Sequence, residues 1–211
     1  SFGNYIGKKL KFDERDTKIL IMCGMSACFS ALFGTPMAAA VFSMEVVSVG
    51  LMHYAALVPC VLASLIAAGV AGFFNITPTA FTIGSIPAMT LSGGIKTIIL
   101  AALFAAASIL FCVTLHKNEE IFAKLFKNQY IRILVSGCIV VLLNTLLGTT
   151  DYMGAGGGVI ARSFTGSEAW YVFLLKIILT ALTLSGGFKG GEIVPSLFIG
   201  ATLGSFLSSI F

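Results

Sequence analysis

The chain has 211 residues, of which 57% are hydrophobic and 10% are charged, and its formal net charge is +4. A soluble domain of this length needs a charged surface, so the composition excludes that class and indicates an integral membrane protein. The basic residues lie beside apolar spans without interleaved aromatic side chains, which argues against a nucleic-acid partner.

Charged residues concentrate in two clusters that are separated by long apolar spans. The first runs from residue 8 to residue 18, and the second from residue 116 to residue 132. Because Lys and Arg accumulate on the cytoplasmic side of a membrane, we expect 1–20 and 116–132 to be cytoplasmic. The positive charge is therefore a signal of membrane topology.

Apolar runs predict an all-α polytopic membrane protein, which we treat as one transmembrane domain over 1–211. A helix that crosses the bilayer needs about 20 apolar residues, so several of the runs are only just long enough. The runs cover 23–49, 54–74, 95–115, 130–147, 169–184 and 192–211.

The first run contains a helix break at Gly34 and Pro36. Glycine followed by proline ends one helix and starts another, which predicts two half-length helices. Two spans already separate the basic clusters, so both clusters share a side of the membrane only if the first run is a re-entrant hairpin. The non-helical backbone at the tip of a re-entrant hairpin is tolerated at membrane depth only when it is buried in protein or lines a water-filled cavity.

A second break lies in the sequence GGFKGGE before the last apolar run, with Gly190 and Pro195 as the breaking residues. A helix that starts here has unpaired backbone N–H groups and a positive partial charge, which together bind anions. Short hydrophobic segments interrupted by glycine or proline are typical of the substrate sites of transporters. The sequence therefore favours membrane transport.

The segments CGMSACFSALFGTPMAAAVFSMEV and GGFKGGEIVPSLFIGATLG closely resemble two blocks of the CLC family of anion channels and transporters. The order of the pieces also resembles that family: a basic linker, a broken hairpin, two long spans, a cytoplasmic loop and an ion-binding helix. The resemblance implies a CLC-like fold with broken and re-entrant helices, of which only the middle part is present here. It further implies a homodimer of the full-length protein in a bacterial plasma membrane.

In that family, a helix that opens with a GxFxP pattern donates backbone N–H groups to the central anion. The resemblance places this role on Gly191, Glu192, Ile193 and Val194, followed by Pro195. Glu192 and Ile193 depart from the usual pattern, and GGFKGGE resembles the branch that exports fluoride. The implied function is halide transport, of fluoride or chloride, coupled to protons, with no cofactor.

Glu192 has two interpretations, because an ionised carboxylate at membrane depth costs several kcal/mol unless it faces a polar cavity or a partner. In the first, the carboxylate takes up a proton when an anion occupies the site and releases it when the anion leaves. In the second, it only stabilises its own helix dipole and free N–H groups at the solvent edge. Lys189 either pairs with this carboxylate, draws anions inward or is simply solvated.

Other function classes remain as alternatives to coupled transport. A passive CLC-type chloride channel fits the same motifs. A remote alternative is an intramembrane serine protease with Ser26 as nucleophile and His53 as base, and otherwise we expect no enzyme activity. A third is a subunit that does not itself transport. His53 and His116 have no metal-ligand neighbours, so we expect no metal site.

Overall fold

The structure is a computed structural model that describes residues 2–47, 52–79, 90–166 and 168–210. Positions 48, 49 and 211 of the predicted runs lie outside the described residues. The described residues form α-helices and one short 3-10 turn, with no β-strand among them. The predicted all-α class is therefore confirmed.

The fold divides into two compact units, Ser1–Thr82 and Ile83–Phe211. The helices of the first unit are α1 (Phe2–Lys9), α2 (Glu14–Phe33), α3 (Pro36–Val46) and α4 (Leu57–Phe73), with the 3-10 turn at Tyr54–Ala56. Those of the second are α5 (Leu91–Leu125), α6 (Gln129–Leu147), α7 (Gly157–Ser163), α8 (Val172–Ser185) and α9 (Ile193–Ser208).

Within the described residues, four helical segments are long and apolar enough to cross a membrane. They are Glu14–Phe33, Tyr54–Phe73, Leu91–Leu125 and Gln129–Leu147. Three apolar helices are shorter than this, namely α3, α8 and α9. The mixture of full spans and short helices agrees with a polytopic membrane protein that contains broken segments.

The break in the first apolar run separates α2 from α3. Gly34 has a left-handed φ of 67° and its N–H donates to the Ser30 carbonyl at 2.9 Å, which closes the end of α2. Pro36 is the first residue of α3, where its missing N–H removes no helical hydrogen bond. These two residues reverse the chain locally, and α2 and α3 pack against each other.

The prediction of two half-length helices was wrong for α2, which has 20 residues. The Asp13 side chain accepts a hydrogen bond from the Asp16 N–H at 2.7 Å and so caps the helix inside the first charged cluster. Glu14 and Lys18 then form an exposed ion pair at 3.0 Å one turn apart. Charged residues thus form the first turns of a full-length helix.

Helix α5 is longer than the predicted span and includes much of the expected cytoplasmic loop. Its 35 residues correspond to about 52 Å at 1.5 Å per residue, well beyond the ~30 Å hydrocarbon core. Glu120 and Lys124 lie 3.9 Å apart within this helical extension. Only residues 126–128 separate α5 from α6, so the second charged cluster is mostly helical.

Hydroxyl groups join α2 to α4 in the first unit. Ser26 donates to the Cys60 carbonyl at 2.9 Å, and Ser30, one turn later, donates to the Ser64 carbonyl at 2.7 Å. Both hydroxyls are buried. Interhelical hydrogen bonds of this kind stabilise helix pairs in lipid, where small residues also permit close approach. Ser26, the proposed protease nucleophile, therefore has a structural partner on the neighbouring helix.

Helices α7, α8 and α9 form the core of the second unit with the inner face of α5. Phe198 is fully buried against Val159, Ile160 and Val172, and a second cluster joins α5, α8 and α9. At the surface, Arg162 forms an ion pair with Asp151 at 2.7 Å. The hydrogen bond and charge of Asp151 raise the pKa of the Arg162 guanidinium.

We expect the double substitution Ser26→Ala and Ser30→Ala to lower the stability of the full-length protein by about 1 kcal/mol, at roughly 0.6 kcal/mol for each interhelical bond. Thermal unfolding in detergent measures this loss. Ser43→Ala is the matched control, because the buried Ser43 hydroxyl donates only within its own helix, to the Ala39 carbonyl at 2.7 Å. An equal loss in the control would contradict the role given to the pair.

Candidate functional site

The second break lies between the end of α8 at Ser185 and the start of α9 at Ile193. The Ser196 N–H donates to the Glu192 carbonyl at 3.0 Å and begins the helical ladder. Pro195 has no N–H to offer. The N–H groups of Ile193 and Val194 precede the ladder, and in the described part of the chain neither donates to a backbone carbonyl. Two backbone donors at the positive end of this helix therefore have no backbone acceptor among the described residues.

The predicted anion-binding residues are consecutive and lie at this helix start. Gly191 and Glu192 are exposed, whereas Ile193 and Val194 are half-buried. Of the described residues, none has an atom within 4 Å of the position that a Cβ would take on Gly191. The backbone at Gly191 is thus open to close approach.

The two breaking residues differ in their positions. Gly190 lies before the helix, and a Cβ there would come within 3.1 Å of the Leu184 side chain, so the break folds tightly onto the end of α8. Pro195 is the third residue of α9 rather than part of the break, a position at which proline is tolerated in a helix. Because proline has no N–H, the first turn of α9 has one unpaired N–H group fewer than a turn without proline.

Glu192 occupies the N-cap position of α9, but its side chain makes no capping hydrogen bond. The ion pairs of the described residues also leave it out, and they leave out Lys189. The carboxylate is therefore exposed beside the free N–H groups without binding them. A pairing between Lys189 and Glu192, one of the interpretations of the sequence, is not formed in this conformation.

The first turns of α6 support the break. The Ser136 hydroxyl donates to the Leu182 carbonyl at 2.6 Å, and a Cβ on Gly186 would clash with the Ser136 side chain. Gly187 has a φ of 98°, a conformation that glycine adopts readily and other residues rarely. The Arg132 guanidinium and the Ile133 side chain lie against this glycine. The glycines of the break thus permit its close approach to α6.

Lys176 is a buried cation on α8, and its ammonium lies over the Phe198 ring of α9. Its side chain is 3% exposed, and its ammonium donates to the carbonyls of Tyr152 at 3.0 Å and of Gly154 at 2.8 Å. The ammonium also lies 4.8 Å from the centroid of the Phe198 ring, within the range of a cation–π interaction. Two carbonyls and a ring face compensate the burial of this charge, and they join the loop before α7 to α9.

Sequence reasoning missed Lys176 and assigned Arg132 only a topological role. The available signal for Lys176 was a lone lysine within an apolar run, which at membrane depth needs partners. Nothing in the sequence identified the partners, which are two loop carbonyls and an aromatic ring on another helix.

Two cavities formed by the described residues do not include the predicted anion-binding residues. One cavity of about 540 Å³ is lined in part by Arg15, Lys18 and His53 of the first unit. A groove of about 660 Å³ on α6 is apolar and ends at Phe188. The predicted anion-binding residues 191–194 therefore remain a prediction that concerns backbone groups at a helix start, separate from these two cavities.

Comparisons with known proteins agree on one family. The family model described as voltage gated chloride channel matches residues 1–211. A chloride/fluoride channel protein from Pseudomonas syringae pv. tomato is 32% identical over 203 residues, which cover 93% of this chain and 45% of that protein. An H(+)/Cl(−) exchange transporter ClcA from Yersinia pestis is 21% identical over 193 residues, covering 88% of this chain and 40% of the relative.

A solved structure gives the same result for the fold. The crystal structure of a CLC-type fluoride/proton antiporter superimposes with a TM-score of 0.89 at 32% identity, covering 98% of this chain and 52% of that chain. The expected CLC-like fold is confirmed. The chain spans about half the length of the relatives that it matches.

We expect Gly156→Ala to destabilise the full-length protein more than Gly154→Ala does. Both glycines have a left-handed φ, 66° and 57°, so each alanine adds strain of about 1–2 kcal/mol. Only at position 156 would the new Cβ also clash with the Phe198 ring, which adds about 1–3 kcal/mol. Thermal unfolding of both variants tests this difference, and equal losses would contradict the contact between this loop and α9.

Proposed function

The chain belongs to the voltage gated chloride channel (CLC) family, and on that premise we propose that its full-length protein transports fluoride across the membrane in exchange for protons. Membership of this family and four apolar helices of spanning length make the chain an integral membrane protein. The family consists of channels and transporters, so at the level of the family this chain is not an enzyme.

One observation carries the proposal: the free N–H groups of Ile193 and Val194 at the start of α9, next to the open backbone of Gly191. Unpaired N–H groups and the helix dipole attract a small anion and need no cationic side chain. The backbone donors alone hold either fluoride or chloride. The preference for fluoride rests on GGFKGGE in this chain and on the similarity to a CLC-type fluoride/proton antiporter.

Glu192 is the proposed proton-coupling residue. Its carboxylate is exposed at the N-cap of α9 and makes no capping hydrogen bond, so it remains available to take up a proton. An anion at the neighbouring N–H groups repels the ionised carboxylate and favours its protonated form. Binding of the anion and uptake of a proton are thereby linked at adjacent residues.

The location and assembly of the full-length protein follow the same proposal. We place it in a bacterial plasma membrane as a homodimer, with 1–20 and 116–132 on the cytoplasmic side. The support for this orientation is the concentration of Lys and Arg in the two charged clusters. In α5, the second cluster lies on a helix that extends beyond the hydrocarbon thickness, where charged residues reach water.

A passive anion channel is the second candidate. The observation that favours it is the similarity to the Pseudomonas syringae relative, which is described as a chloride/fluoride channel protein. A channel and an antiporter can use the same backbone donors and differ in whether proton movement is obligatory. Flux measurements therefore separate them.

We expect liposomes that contain the full-length protein to release fluoride much faster than chloride, and a fluoride gradient to drive proton movement. Ion-selective electrodes for each halide and a pH electrode measure these fluxes. Chloride efflux as fast as fluoride efflux would contradict the fluoride assignment. Fluoride efflux without gradient-driven proton movement would favour the channel.

We expect Glu192→Gln to abolish or uncouple proton movement, because the amide cannot take up a proton near neutral pH. The measurement is the proton-to-fluoride ratio in the same liposomes. Glu120→Gln is the matched control, since Glu120 lies on the exposed extension of α5 and pairs with Lys124. An unaltered ratio in Glu192→Gln would refute the coupling role.

A further inference from the structure

Arg132 lies beside the break that precedes the proposed anion site, and its guanidinium has no hydrogen-bond or ion-pair partner among the described residues. Its Nε is buried and has no hydrogen-bond acceptor among the residues that the structure describes. Neither is its guanidinium part of any ion pair formed by these residues. Buried donors are satisfied in the great majority of cases, so an unsatisfied guanidinium N–H calls for a specific explanation such as an ion.

The Arg132 guanidinium lies next to Gly187, which is part of the break. Its Nη2 lies 3.4 Å, and its Nε 3.8 Å, from the point where a Cβ on Gly187 would be. Gly187 has no side chain and adopts a φ of 98°, so no side chain of residue 187 separates the guanidinium from the break. A residue with a side chain at position 187 would be strained in this backbone conformation, and its Cβ would lie in van der Waals contact with the guanidinium.

The charges of the break are also favourable to an anion. Lys189 adds a second positive charge within the break and is exposed. The nearest acidic residue along the chain is Glu192, which makes no ion pair with either cation in the described residues. A guanidinium in partly buried surroundings interacts with an anion more strongly than a solvated one, because screening by water is weaker there.

We propose that Arg132 binds the transported halide beside Gly187, as an approach site from which the anion passes to the N–H groups of Ile193 and Val194. The proposal rests on the halide transport proposed above and adds a recognition residue to it. The guanidinium N–H donates to the anion in place of a protein acceptor. Such a charge-assisted bond is among the stronger hydrogen bonds in proteins.

The test compares fluoride efflux from liposomes that contain the full-length protein with Arg132→Gln, Arg132→Lys or the native residue, over a range of internal fluoride concentrations. We expect Arg132→Gln to raise the KM about tenfold, the equivalent of one lost charge-assisted hydrogen bond, and to change the maximal rate less than twofold. Arg132→Lys should raise the KM about threefold, because a point charge does not reproduce the planar donor geometry.

Arg162→Gln is the matched control, because Arg162 lies in the same unit but already pairs with Asp151. Its KM should equal that of the native protein. A native KM in both Arg132 variants would overturn the proposal, as would a fall in maximal rate at unchanged KM, which indicates a structural role. If Arg132→Gln does not fold, Arg132→Lys decides the question, and a native KM in that variant is then sufficient to reject the site.

The same measurements separate this proposal from the one on which it rests. Native protein that shows no saturable halide efflux would refute the transport function itself. Native protein that transports halide with the same KM as both Arg132 variants would refute only the approach site.

Discussion

The requirement that backbone N–H groups be satisfied in lipid governs the arrangement of this chain. Helices meet the requirement internally, and water can replace their bonds only at the membrane surface or in a wet cavity. Two breaks interrupt the helices of the described residues at Gly34 and in 186–192, and they resolve the requirement differently. The first closes on itself, since Gly34 donates to the Ser30 carbonyl. The second leaves the N–H groups of Ile193 and Val194 without a backbone acceptor among the described residues, and these are the donors of the proposed anion site.

The unpaired N–H groups in the first turn of a helix bind an anion selectively only if the surrounding structure fixes the position of that turn. In the second unit, α6 supports the break through the Ser136 hydroxyl and the close contacts at Gly186 and Gly187. On the other side, Lys176 joins the loop before α7 to the Phe198 ring of α9. The buried lysine is costly unless its donors are occupied, so its two carbonyl partners hold the loop in one conformation. Polar interactions, the Ser136 hydrogen bond and the Lys176 hydrogen bonds, therefore fix the break and the α9 helix within an otherwise apolar bundle.

The lengths of helices show where local reasoning succeeded and where it did not. Gly34 and Pro36 act within one or two residues, and the structure has a helix end and a helix start at those positions. The extents of α2 and α5 were underestimated because charged residues were assigned to linkers. Both helices continue through charged segments, where caps and pairs one turn apart stabilise them in water. Hydrophobicity marks the part of a helix that lies in lipid and not the whole helix.

The sequence by itself determined the membrane class, the all-helical fold and the two breaks, and it predicted an anion site at residues 191–194. These features depend on composition and on glycine and proline chemistry, which act within a few residues of the chain. Only the tertiary structure decided that Ser26 donates to α4, that Lys176 is held by loop carbonyls, and that Arg132 lies against Gly187. Such contacts join residues far apart in sequence, and they arise from the packing of helices, which periodicity and composition do not encode.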